Sequence, residues 1–188
     1  QAFQKHGDNP FSVCMNRWMS YKQLDELSTA LGAWLQNKGL EPGSRVAIML
    51  PNLPQFAVTM AAILRAGYTC VNVNPLYTPR ELEHQLKDSG ASAIVILENF
   101  AATLQEVIER TAVKHVVLAS IGDLLGPING RWLTFAVRHL AKMVPPFELP
   151  LANGRTVTPF KKAIGQGRGL KGISRFISGL RIGQFRSA

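Results

Sequence analysis

Two complete strand–helix units follow one another between Gly43 and Ala91, and they restrict the possible folds more than any other feature of the chain. Arg45-Val-Ala-Ile-Met-Leu50 is an almost continuous apolar run, stopped by Pro51 and Asn52. A helical segment over 54–66 follows, with Pro54 in the first turn, where its missing N–H costs little, and Gly67 placed to close it. Cys70-Val-Asn-Val73 is a second strand. Thr78-Pro-Arg-Glu81 then has the form of a capping box: the Thr side chain accepts from the third-position amide, and the Glu reaches back. The helix it opens runs to about Asp88 and stops at Ser89-Gly90. Apolar strands alternating with helices over short loops belong to a parallel sheet covered on both faces.

The same grammar extends on either side. Ser20-Tyr-Lys-Gln23 is another capping box, opening a helix whose Leu24, Leu27, Leu31, Trp34 and Leu35 form a stripe of helical period. Lys38 falls in its last turn and Gly39 suits the left-handed closing residue. Ala93–Leu97 reads as a strand, Phe100–Arg110 as a helix and His115–Leu118 as a further strand. The sequence therefore predicts an α/β layered domain with a parallel sheet. From Gly122 the alternation weakens. Arg131–Val144 reads as one more helix ended by Pro145-Pro146, and residues 145–170 as a loop-rich connection with one helical turn near Phe160–Ile164. The predicted division is an α/β part over 1–165 and a basic tail over 166–188, disordered or foreign to the fold.

Charge supports that division. The net charge is +9, yet residues 1–148 hold 13 Lys and Arg against 12 Asp and Glu, while residues 149–188 hold eight basic residues and no acidic one. The basic character belongs to the tail, so the fold carries no specific nucleic-acid signature. No apolar run approaches the ~20 residues needed to span a bilayer. Gln1-Ala-Phe-Gln-Lys-His-Gly-Asp8 has no apolar core of a secretion signal, and the missing initial Met reads as a fragment or a processed end. Cys14 and Cys70 are too few for a disulfide framework and read as small core residues in a reducing compartment.

Few residues carry the pattern of a reactive site. His6, His84, His115 and His139 do not fall at metal-ligand spacing, and the two cysteines are far apart in sequence. Glu81, Glu83 and His84 lie close together on one helix, where an exposed face explains them. A Gly-x-Ser-x-Gly nucleophile elbow is absent. Gly165-Gln-Gly-Arg-Gly-Leu-Lys-Gly172 is the glycine-rich element, but no strand is predicted before it and a P-loop's Gly-Lys-Ser/Thr ending is missing. It reads as flexible chain.

Four separated segments, in order and at similar spacing, resemble the N-terminal region of the AMP-forming acyl-CoA synthetases, most closely the bacterial long-chain fatty acid–CoA ligases. They are the Tyr21, Leu24, Leu27 helix, Gly43-Ser-Arg-Val-Ala-Ile-Met-Leu-Pro-Asn52, Ala62-Ile-Leu-Arg-Ala-Gly67, and Val71-Asn-Val-Asn-Pro-Leu-Tyr-Thr-Pro-Arg-Glu81 with its continuation to Ala91. The resemblance covers about residues 3–165. Ser44 departs from it, since the family usually has Asp before the Arg; the position is in a predicted surface turn.

The resemblance implies a partial N-terminal portion of the adenylate-forming enzyme fold. For the full-length family it implies ATP, Mg, coenzyme A and a fatty acid: acid and ATP give an acyl-adenylate and pyrophosphate, then the thiol displaces AMP. The family's Thr-Gly-Gly-Thr-Thr-Gly-like phosphate loop, nucleotide contacts, hinge and C-terminal lysine are matched by nothing here. No residue inherits a catalytic, cofactor-binding or metal role, and the chain by itself is expected to be inactive. The expected location is the cytoplasm, with peripheral contact at the inner face of the cell membrane. That contact rests on Arg131–Val144, where Arg131, Arg138 and Lys142 fall near one side, Leu133, Val137, Leu140 and Val144 line another, and Trp132 lies near one end; a helix packed on its own domain with a solvated basic face is the alternative. A shifted reading frame or a truncated gene would give the tail's composition. Two other functions stay open: a non-catalytic membrane- or partner-docking module, and part of a related acyl or aryl adenylate-forming ligase.

Overall fold

The computed structural model of the 188-residue chain describes residues 6–14, 17–125, 134–135 and 144–170. β1 (Pro10–Cys14) and β2 (Arg17–Ser20) form an antiparallel hairpin with Val13 opposite Trp18. Ser20 ends β2 and caps α1 (Tyr21–Gln36), its Oγ accepting from Gln23 N at 3.2 Å while Gln23 Oε1 accepts from Ser20 N at 3.0 Å. The chain then alternates: β3 (Arg45–Met49), α2 (Pro54–Arg65), β4 (Thr69–Asn72), α3 (Pro79–Ser89), β5 (Ala93–Leu97), α4 (Ala101–Gln105), β6 (His115–Ala119), β7 (Thr156–Pro159) and α5 (Phe160–Arg168).

The five later strands form one wholly parallel sheet in the order β4-β3-β5-β6-β7. Side chains alternate across it. Val46, Ile48, Ala93, Val95 and Val117 meet Leu31, Trp34, Leu35, Val58, Ile63 and Phe160 from α1, α2 and α5. Ala47, Met49, Ile94, Ile96 and Val116 meet Leu82, Leu86 and Leu104 from α3 and α4. Right-handed crossovers running in opposite directions along a sheet place their helices on opposite faces, which is why α2 lies on one side and α3 and α4 on the other.

The punctuation read from sequence is present. Gly39, Gly67 and Gly90 have positive φ at the three helix exits, and Thr78 and Glu81 complete the capping box of α3. Several expectations are corrected. The segment read as a helix over Phe100–Arg110 breaks up: 3-10 turns at Glu98–Phe100 and Ile108–Arg110 flank the five-residue α4. α1 ends at Gln36, so Lys38 lies beyond it and folds its ammonium over the Trp34 ring, 4.5 Å from the centroid. Cys14 and Cys70 are only partly buried: Cys14 lies on the hairpin, and Cys70, on the edge strand β4, packs against the margin of the core.

The largest correction concerns residues 145–170. They hold a fifth parallel strand and a nine-residue helix rather than a loop with one helical turn. The glycine run therefore does follow a strand, and its first residues are helical. Each glycine in a helix interior costs about 1 kcal/mol relative to Ala. Packing supplies what propensity lacks: Phe160, Ala163 and Ile164 are buried in the α1/α2 layer. The boundary drawn between residues 165 and 166 falls inside α5.

Candidate functional site

In a doubly wound sheet ligands bind outside the carboxyl ends of the strands, where the strand order reverses. Here the reversal lies between β3 and β5, so Leu50-Pro51-Asn52, Glu98-Asn99 and the turn after β6 mark the place to look. Gln55, in the first turn of α2, is fully buried. Its Nε2 donates to Ser120 O at 2.9 Å and Ile121 O at 3.4 Å, and its main-chain carbonyl accepts from the Thr59 hydroxyl at 2.7 Å. Ser120 N donates to Asp123 Oδ2 at 2.7 Å, and Lys161 Nζ of α5 stands 3.7 Å from Asp123 Oδ1. Burial pushes the Asp123 carboxyl above the usual range and Glu98 adds to the rise; the Ser120 N–H and Lys161 oppose it. Glu98 is itself buried at the end of β5. These groups fasten α2, the β6 turn and α5 to one another, so the carboxyl edge of the sheet is held as a framework.

The sheet's other polar pairs act in the same way. His115 Nδ1 lies 2.9 Å from Thr156 Oγ1 across the β6–β7 ladder. Burial, then the nearby Lys38 and Lys114 charges, push its imidazole below the ordinary 6.5. Arg155 is buried just before β7 and donates from Nε to Val113 O (3.2 Å), from Nη1 to Pro150 O (3.2 Å) and from Nη2 to Ile108 O (3.4 Å). It anchors the incoming strand to the segment between α4 and β6.

The residues considered from sequence are also placed. Glu81 is occupied by its cap, and its Oε2 accepts from Thr78 N and Oγ1, both at 2.8 Å. Glu83 bridges Lys87 Nζ at 2.6 Å and Arg110 Nη2 at 2.8 Å, which lowers its carboxyl to about 2. His84 is exposed on the same helix. Among the described residues no group of three or more His, Cys, Asp and Glu is placed to hold a metal ion, and no helix is long and apolar enough to cross a membrane. The candidate membrane helix Arg131–Val144 lies outside the described residues except for Thr134, Phe135 and Val144.

The nucleotide implied by the resemblance does not fit the one glycine-rich element. Gly167 points at α1: a Cβ built there would lie 1.9 Å from Ala30 O. The backbone that a phosphate cradle would need to turn toward a ligand is spent on a helix–helix contact. Sequence reading missed this role; the signal available was Trp34, a buried indole in need of an acceptor, which Gln166 Oε1 supplies at 2.9 Å.

These contacts and the wholly parallel sheet define the described residues as a layered α/β framework. The chain belongs to the AMP-binding enzyme family, which it matches over residues 1–153. It is 51% identical over 151 residues to a long-chain-fatty-acid–CoA ligase of Escherichia coli O157:H7, covering 80% of this chain and 27% of that protein. A long-chain-fatty-acid–CoA ligase of Archaeoglobus fulgidus superposes with a TM-score of 0.56 at 26% identity, over 71% of this chain and 28% of that one. The A domain of a carboxylic acid reductase from Segniliparus rugosus shares the fold, with a TM-score of 0.64 at 17% identity over 82% of this chain and 24% of that one. The chain thus spans about a quarter of the length of the curated relatives it matches.

Proposed function

We propose that this chain is the N-terminal framework of a long-chain fatty acid–CoA ligase, whose reaction joins a fatty acid to coenzyme A through an acyl-adenylate at the expense of ATP. The observation that carries this reading is the 51% identity over 151 residues. In this reading no residue here is catalytic, cofactor-binding or metal-binding. ATP, Mg and coenzyme A are held by parts of the family's sequence that these 188 residues do not match, so the chain alone forms no acyl-adenylate. The framework takes in α5 and the basic tail follows it. Translating the coding DNA in the other two frames tests whether the tail arose by a frameshift; a phosphate-loop motif downstream is the expected result.

The experiment joins residues 1–153 to the part of the E. coli relative that follows its matched segment, then supplies ATP, Mg, coenzyme A and oleate. Oleoyl-CoA and AMP are expected from the chimera and neither from the 188-residue chain. A chimera that folds by circular dichroism yet ignores oleate overturns the reading, as does acyl-AMP made by the purified chain free of contaminating enzyme.

The proposed location follows the reaction: the cytoplasm, where ATP and coenzyme A are met, with the basic amphipathic pattern of Arg131–Val144 against the anionic inner face of the membrane. Liposome flotation of the chain carrying Arg138→Glu and Lys142→Glu tests that contact. Unchanged binding to anionic vesicles removes it.

A further inference from the structure

We draw no further inference here: the strongest candidate, the groove of about 300 Å³ between the β1–β2 hairpin, α1 and the end of α5, lined by Trp18, Met19, Leu27, Leu124 and Arg168, is an unpartnered face, and nothing in the structure shows what covers it.

Discussion

The indole N–H of Trp34 donates to Gln166 Oε1 at 2.9 Å, joining α1 to α5. The next residue along, Gly167, brings the two backbones together against Ala30. Replacing Trp34 by Phe removes the bond and leaves part of a fully buried ring's volume empty. A loss of about 1–3 kcal/mol is expected, measured by urea denaturation followed by circular dichroism. Gln166→Leu, which loses the acceptor but keeps the bulk on an exposed position, should cost less.

Gly167→Ala and Gly165→Ala should move stability in opposite directions. At Gly167 the new methyl meets a backbone carbonyl, which cannot rotate away, so about 3 kcal/mol should be lost despite the better helix propensity. For a chain of this size that lowers Tm by about 6–12 °C. Gly165 has nothing within 4 Å of the added carbon, so only propensity acts, and a gain of about 0.5–1 kcal/mol is expected. Two thermal melts decide it; equal behaviour of the variants would refute the close approach.

Arg155 donates to three main-chain carbonyls from a buried position. Arg155→Met keeps much of the apolar stem and withdraws all three donors, at an expected cost of about 3 kcal/mol. Hydrogen exchange should show faster opening of β7 than of β3 in this variant, because the clamp acts on the incoming edge strand.

Burial, then the Lys38 and Lys114 charges, lowers the His115 imidazole from its ordinary 6.5 and so disfavours its charged form in the folded state. A depressed folded value contributes stability above the unfolded pKa, and that contribution is lost as pH falls through the folded one. His115→Gln, which keeps a polar partner for Thr156, should therefore flatten the stability profile on going from about pH 7.5 to about pH 5. A difference curve between variant and parent with no slope in that window would contradict the assignment.

Glu83 gives the carboxylate counterpart, held at about 2 by Arg110 and then Lys87. Its contribution is complete above the ordinary 4.5 and disappears as pH drops toward 2. The parent-minus-Glu83→Gln difference in denaturant midpoint should shrink over that interval. Half a molar of added salt should shrink it at neutral pH as well, since the partners lie at the surface.

Most of the domain from Ser20 to Ala119 was legible because its local signals agree. Apolar runs mark β3 and β5, capping boxes open α1 and α3, and glycines at positive φ close the helices. Where those signals weaken, tertiary contacts decide. Thr156-Val-Thr-Pro159 is too short and too polar to read as a strand until β6 lies beside it. Phe160–Arg168 carries glycines that argue against a helix until α1 packs on them. The β1–β2 hairpin has no apolar alternation to announce it. Nor did any pattern mark Gln55 or Arg155, single polar residues that each reach carbonyls more than 40 positions away.

The Trp34–Gln166 bond spans 132 positions, and this has a consequence for synthesis. While the ribosome is still translating the middle of the chain, one flank of α1 remains bare and sticky, for its cover has yet to be made. Sheets assembled from such distant pieces mature slowly, and nascent chains of this kind are exposed to aggregation in the interval.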